Sequence, residues 1–350
     1  MKAVSLFSSA GISELFLNQL GVDIICANEI KKDRAELYQN TFKSAKMING
    51  DILSSDIFQS ILELSKGKCD LLIASPPCQG MSMAGKSRNP EEMLMDERNY
   101  LIYKVIEFIE KIQPTFALIE NVPLLTKLKL PHNGKVIDII NIIHSILGNR
   151  YNIEIDIVDC ADYNIPQKRK RAIIRIYKKG NQWHLPSPKE KMKTVYETIS
   201  HLPSIEAGEK SLEKWHFARK HSKNHIRCMR YTPTGKSAFQ NEKYIPLKDN
   251  GERVKGYDTT YRRMNWDEPA PTITTRNDAI SSQRNVHPGR KLGNGIYSDA
   301  RVLTPLELML LSSIPQNWDI PLDTNELLIR RCIGECVPPY LTKTLLENLL

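Results

Sequence analysis

Four apolar runs dominate the first half of the chain: "AVSLF" (3–7), "DIICANEI" (23–30), "CDLLIAS" (69–75) and "TFALIEN" (115–121). Runs this continuous suit strands buried on both faces, as in parallel sheets covered by helices. Helical spacing fills the gaps. It runs over 12–21, closed by Gly21, then over 33–42, 56–66 and 98–114, where Pro114 stops it. "KMINGD" (46–51) leads into the third of these helices, another helix is expected near 135–147, and strands near 151–160 and 171–177 complete the pattern. Strands alternating with helices predict an α/β fold with a doubly wound sheet.

After about residue 185 the rhythm stops, and Pro, Gly, Lys and short β-like pieces take over. A helical stretch, "PLELMLLSSI", returns after Thr304, and "YLTKTLLENLL" closes the chain as an amphipathic helix that needs the first domain's core to lie against. The expected boundaries are 1–185 plus 330–350 for the sheet domain and 186–329 for a smaller, mostly β or irregular domain. Charge divides in a similar way. Residues 1–172 carry 21 Lys/Arg and 21 Asp/Glu, residues 173–291 carry 24 and 12, and residues 292–350 carry 4 and 7. A neutral body followed by a basic block fits a catalytic domain joined to a polyanion-binding module, although diffuse charge alone fits a solvated surface as well.

No run of about 18 apolar residues predicts a membrane span. Glu14 interrupts the N-terminal apolar stretch before a secretory signal can develop, so a soluble intracellular protein is expected. The seven cysteines are scattered and show no CxxC, which reads as small core residues in a reducing compartment. His221, His225 and Cys228 form a local metal-like cluster without a fourth ligand, and polar residues on a basic surface are the preferred reading. "TPTGKS" (232–237) is not a P-loop, because Arg230 stands in the place of its first glycine.

In open α/β sheets, ligands bind beyond the carboxyl ends of the strands. "FSSAG" (7–11) is a tight turn after the first strand, Glu29 ends the second where an acid commonly takes ribose hydroxyls, and Asp51 ends the third. These features suggest a nucleoside-containing cofactor. The turn lacks G-x-G-x-x-G, which argues against NAD. The fourth strand delivers "SPPCQGMS" (75–82) and the fifth delivers "ENV" (120–122). Pro76 and Pro77 fix the backbone before Cys78 and Gly80 frees it afterwards, a way to aim a nucleophilic thiol whose free pKa is about 8.5.

Together these segments resemble a DNA (cytosine-5) methyltransferase of the bacterial restriction-modification type. The resemblance is carried by "FSSAG", "NEI" (28–30), "GDI" (50–52), "SPPCQGMS", "DERNYL" (96–101), "ENV", "DYNIPQKRKR" (162–171), "RRMNWDEPAPTITT" (262–275), "RVLTPLE" (301–307) and "IGECVPP" (333–339). They follow the family's order over nearly the whole chain, and Pro-Pro-Cys-Gln-Gly and Gln-x-Arg-x-Arg are the most specific. Three departures stand out. Ser9 replaces the usual first glycine, Asn164 replaces a glycine, and Glu335-Cys336 replaces Asn-Ala. Ser9 is small and Asn164 tolerates a left-handed backbone, so little harm is expected from either.

The resemblance implies a Rossmann-like domain dependent on S-adenosyl-L-methionine, a target-recognition domain and double-stranded DNA as partner. Cys78 would add to C6 of a flipped-out cytosine, Glu120 would steady the N3 edge, and Arg169 and Arg171 would bind the base carbonyl and nearby charge. Phe7, Ser9, Ala10, Gly11 and Ile12 would surround the cofactor, with Glu29 on its ribose. Ile30 would cover the adenine, Asp51 and Ile52 its amino edge, and Pro76, Leu101, Glu335 and Val337 would line the pocket. Gln79, Ser82, Arg88 and Gln167 would meet the DNA, with Ser82 nearest the flipped base and 79–85 forming a loop that closes over it. In the basic block Arg227, Arg230, Lys236, Arg253, Lys255, Arg262 and Arg263 are candidate contacts. The product would be S-adenosyl-L-homocysteine. No metal is expected, and the chain is expected to act as a monomer in the bacterial cytoplasm, associated with the nucleoid. A cognate restriction endonuclease would be its genetic companion. An RNA (tRNA) relative would have a much shorter recognition region, and a non-catalytic DNA-binding relative would lose Cys78 or Glu120, both of which are present.

Overall fold

The apolar runs become the middle of a seven-stranded sheet. In the computed structural model, which describes residues 1–77, 94–248 and 250–349, contacts divide the chain into two units. The first comprises Met1–Asp159, Lys170–Ser187 and Thr342–Leu350, and the second Cys160–Arg169 and Pro188–Leu341.

In the first unit β1 (Lys2–Leu6), β2 (Asp23–Glu29), β3 (Lys46–Asn49), β4 (Leu71–Ala74) and β5 (Phe116–Asn121) pair in parallel, in the order β3-β2-β1-β4-β5. α1 (Lys32–Thr41), α2 (Ser55–Ser65) and α3 (Leu101–Ile112) lie between them in sequence. A hairpin of β6 (Lys129–His132) and β7 (Lys135–Asp138) precedes α4 (Ile139–Leu147). β8 (Tyr151–Asp159) and β9 (Lys170–Lys178) then extend the sheet, β9 running antiparallel to both β5 and β8. The apolar faces of α2, α3 and α4, including Phe58, Ile61, Val105, Ile109, Ile139 and Ile143, close over Val4, Leu72, Ala117 and Ile119 of the strands. Each of the larger side chains contributes roughly 1.5–3 kcal/mol through removal from water.

Two expectations fail locally. Residues 12–21 form two short 3₁₀ turns, Ile12–Glu14 and Leu17–Leu20, because Glu14 is drawn inward to Ser5 on β1 instead of lying on a wet helical face. The expected helix at 135–147 begins only at Ile139. Asn133 and Gly134 both adopt positive φ (50° and 73°) and turn the preceding segment into a hairpin.

The closing helix spans Pro339–Leu346. Within the first unit, Trp183 donates its indole N–H to Leu345 O at 2.8 Å and meets Phe116 edge-on. The boundary expected at residue 330 falls inside α8 (Glu326–Glu335) of the second unit, which also contains α5 (Val195–Ile199), α6 (Lys223–Arg230), α7 (Pro305–Leu311) and a short pair, β10 (Lys291–Gly293) and β11 (Ile296–Tyr297). Much of this unit is irregular, so its carbonyls need partners other than ladder N–H groups. Buried arginines supply them. Arg263 reaches the carbonyls of Met229, His287, Ser298 and Asp299 at 2.8–3.1 Å. Arg330 reaches Leu303 O at 2.8 Å, and Arg301 reaches Ile205 O at 2.7 Å. Arg301 also pairs with the buried carboxylates of Asp299 and Glu307. Burial opposes the Glu307 charge, but Arg301 and the other neighbouring groups hold its carboxyl down at about 2.

Candidate active site

The carboxyl ends of the parallel strands gather the cofactor-type residues of the first unit. After β1 the chain turns at Phe7–Gly11, with Phe7, Ser9 and Gly11 all at positive φ (58°, 48° and 73°). Gly11 N–H donates to Ser8 O at 2.9 Å, and Ser8 N–H to Asn28 O at 3.0 Å, which seats the turn against β2. Ser9 therefore keeps the left-handed backbone expected of a glycine, with its Oγ buried and without a hydrogen-bond partner among the described residues. A Cβ on Gly11 would come within 2.5 Å of the Phe42 ring and 2.8 Å of the Tyr38 ring.

Glu29, buried at the end of β2, accepts the Ser9 N–H at 2.9 Å and the Lys31 N–H at 2.7 Å. Its neighbour Ile30 is 56% exposed, an open apolar surface at a strand end. Asp51 is exposed and caps its own turn by accepting from Leu53 N–H at 2.9 Å, while Ile52 is buried in the core. Carboxylates that can accept from ribose hydroxyls and an exocyclic amine, beside an apolar platform for a ring, are the acceptor set suited to an adenosyl group. Ala10 and Ile12 are buried beneath the turn, Pro76 is buried beyond β4, and Leu101 begins α3.

The ends of β4 and β5 are tied together. Asn121 donates its Nδ2 to Pro76 O at 3.0 Å, and its Oδ1 accepts Val122 N–H at 2.8 Å. The strand on the other side of β5 brings Arg171 to Glu120, with Nε 2.5 Å from Oε1 and both side chains largely shielded (12% and 14% exposed). Cys78, Gln79, Ser82 and Arg88 lie outside the described residues.

A family model for the C-5 cytosine-specific DNA methylases matches residues 1–350. The chain belongs to this family. The methylase is 55% identical over 347 residues to the Type II methyltransferase M1.HgaI of Avibacterium volantium, covering 99% of this chain and 97% of that one. It is 28% identical over 349 residues to M1.HphI of Haemophilus parahaemolyticus, covering 99% and 86%. Among solved structures, an E. coli prophage protein described as a DNA modification methyltransferase superposes with a TM-score of 0.72 at 21% identity, covering 100% and 98% of the two chains. S. pombe Dnmt2 gives 0.63 at 16%, covering 100% and 99%. The enzyme thus has the S-adenosylmethionine-dependent methyltransferase fold and transfers a methyl group from S-adenosyl-L-methionine to C5 of cytosine in DNA. Among the described residues no helix is long and apolar enough to cross a membrane.

Several residues named for the site belong to the second unit. Arg169, in the second unit, is 3% exposed and donates to the carbonyls of Ile273, Gly334 and Glu335 at 2.8–3.1 Å. Gln167 is buried and bridges Ser312 Oγ and Ile273 N–H. Arg263 is 1% exposed with its charge spent on carbonyls, and burial pulls its pKa down to about 10. In this structure all three side chains are buried and engaged with interior partners of the second unit. Glu335 and Val337 also belong to the second unit. His221 accepts Val302 N–H and His225 meets Tyr261 Oη, while Cys228 is buried. Asn164, like Ser9, holds the positive φ (62°) that a glycine would. The sequence reading missed the anchoring role of Asn121, although the residue stands inside "ENV".

Proposed function

We propose that the methylase acts through a covalent adduct of Cys78 on a cytosine flipped out of duplex DNA. The Cys78 thiolate attacks C6, forming the C6–S bond and shifting the ring's electron pair so that C5 becomes an enamine carbon. C5 then takes the methyl group, which the bound cofactor supplies from its positively charged sulfur. Loss of the C5 proton to solvent returns the electron pair, breaks the C6–S bond and restores the thiolate. Charge builds toward N3 after addition, where Glu120 acts as hydrogen-bond partner and Arg171 balances its charge. Glu29 takes the ribose hydroxyls, Ile30 covers the adenine, and Asp51 meets its amino edge. The observation that carries this reading is the Glu120–Arg171 pair beside the strand end that leads to Cys78, with Asn121 binding the two ends together.

A stacked base is out of reach of an active site, and extruding it costs a few kcal/mol. In this reading the basic second unit grips the duplex. The enzyme acts as a cytoplasmic monomer, without metal, beside a cognate restriction endonuclease, as the Type II name of its relative suggests. The test is transfer of tritiated methyl groups to duplex DNA and to tRNA by wild type and Cys78→Ser. Label on DNA alone, lost in the variant, is expected. Undiminished transfer by Cys78→Ser would refute the adduct, and label on tRNA alone would refute the substrate.

A further inference from the structure

Exposed cations of the second unit are not alike. Arg230, Lys236 and Lys255 extend into solvent. Arg227 and Arg253 are exposed too, but each is seated. The Arg227 guanidinium lies 5.3 Å from the Tyr244 ring centroid, with Nη2 3.4 Å from Asn224 Oδ1. Tyr244 in turn packs on Tyr231, centroids 4.4 Å apart. Arg253 lies over Phe239 at 5.7 Å and donates to Phe239 O at 3.1 Å.

The two seats share one foundation. Phe239 and Val254 pack on a small core that includes Cys228, Met229 and Tyr261. Asn241 holds Cys228 O and Tyr244 O, and Asn224 reaches Leu247 O, which lies in the segment bridged to Arg253. Arg253 also lines a cleft of about 460 Å³ with Phe239, Lys255 and Asp258. Gly256 keeps this cleft open, since a Cβ there would stand 2.6 Å from the Phe239 ring.

Phosphate contacts draw on charge and counterion release and are indifferent to the plane of the cation. Two parallel hydrogen bonds to guanine O6 and N7 are best made by a guanidinium whose planar fork is already fixed. Ordering that fork before binding removes an entropic cost that a loose side chain meets on association. The Asp258 carboxylate on the cleft wall disfavours a phosphate and suits the amino group of cytosine. We propose that Arg227 and Arg253 are specificity-determining residues that each read a guanine, Arg253 beside the cleft that Asp258 lines, whereas Arg230 and Lys236 hold phosphates. This rests on the reading that the second unit grips duplex DNA.

Bisulfite sequencing of DNA from cells expressing the full chain defines the wild-type site. Methylation rates are then compared over duplexes carrying each single base-pair change, and over a range of salt concentrations. Arg227→Lys and Arg253→Lys keep the charge. Each should lose about 5- to 150-fold of discrimination at one guanine, a different one for each variant, with an unchanged salt slope. Tyr244→Leu should reproduce the Arg227→Lys pattern, because it removes the seat and leaves the charge. Arg230→Ala and Lys236→Ala should each reduce the salt slope by about one and leave discrimination intact. Wild-type discrimination in folded Arg227→Lys and Arg253→Lys, with a normal salt slope, would overturn this inference alone. A salt-independent wild type would overturn the DNA grip of the unit as well.

Discussion

Arg171 Nε stands 2.5 Å from Glu120 Oε1, and the two residues occupy neighbouring antiparallel strands. Two backbones joined by six ladder pairs set this distance, so the carboxyl is positioned by the sheet and needs no loop to hold it. Arg171→Lys keeps a charge but gives up the planar fork. With Glu120 acting as proposed, Glu120→Gln should lower the methylation rate by about 100-fold or more, and Arg171→Lys by less. Cofactor binding by calorimetry should be unchanged in both.

The turn at Phe7–Gly11 predicts opposite outcomes at two nearby positions. Gly11→Ala places a Cβ against Tyr38 and Phe42 at positive φ, and should destabilise by about 1–3 kcal/mol and weaken cofactor binding. Ser9→Gly relieves a left-handed serine and removes a buried hydroxyl without a partner among the described residues. It should raise the melting temperature by about 2–4 °C.

Glu14 supplies a pH dependence. Burial raises its carboxyl to about 7, against hydrogen bonds from Ser5 and Ser13. The Tyr38 hydroxyl, with Cys26 near it, is itself raised by burial. The folded pKa lies above the unfolded one, so the fold favours the protonated acid. The stability from this group is complete below about pH 4.5 and is lost as pH rises to about 7, amounting to about 3 kcal/mol. Glu14→Gln should flatten the fall in melting temperature between pH 5 and 8. A variant with the wild-type slope would disprove the assignment.

Removing one carboxylate from a buried ion-pair cluster leaves Arg301 with Asp299 as its remaining counter-charge. Glu307 meets both outer nitrogens of Arg301 at 2.8–2.9 Å and also caps α7 through Thr304 N–H. Glu307→Gln should therefore cost about 3–5 kcal/mol, read by denaturant unfolding. Exposed Lys236→Ala should leave stability within about 0.5 kcal/mol.

The central strands could be read from the sequence because a parallel sheet buries both faces, and continuous apolar runs such as "CDLLIAS" have no other use. The hairpin at 129–138 could have been read too, since Asn133-Gly134 is a hairpin turn, but the apolar residues around 136–147 suggested one long helix. The two 3₁₀ turns at 12–20 could not, because Glu14 looks like a wet helical residue until Ser5 is placed beside it. In the Gln-x-Arg-x-Arg motif, spacing cannot separate Arg171, which meets the acid, from Arg169, which braces an interior. The same limit hid the fate of Arg263, indistinguishable in sequence from its neighbour Arg262.

The buried arginines of the second unit have an evolutionary consequence. Arg263, Arg301 and Arg330 fasten irregular backbone from within, so the surface loops carry little of the work of folding. Residues such as Arg227 and Tyr244 can then be exchanged without dismantling the scaffold. On the proposed assignment of Arg227 and Arg253, such a framework lets a lineage change the sequence it marks by substitution at the surface, while the architecture beneath persists.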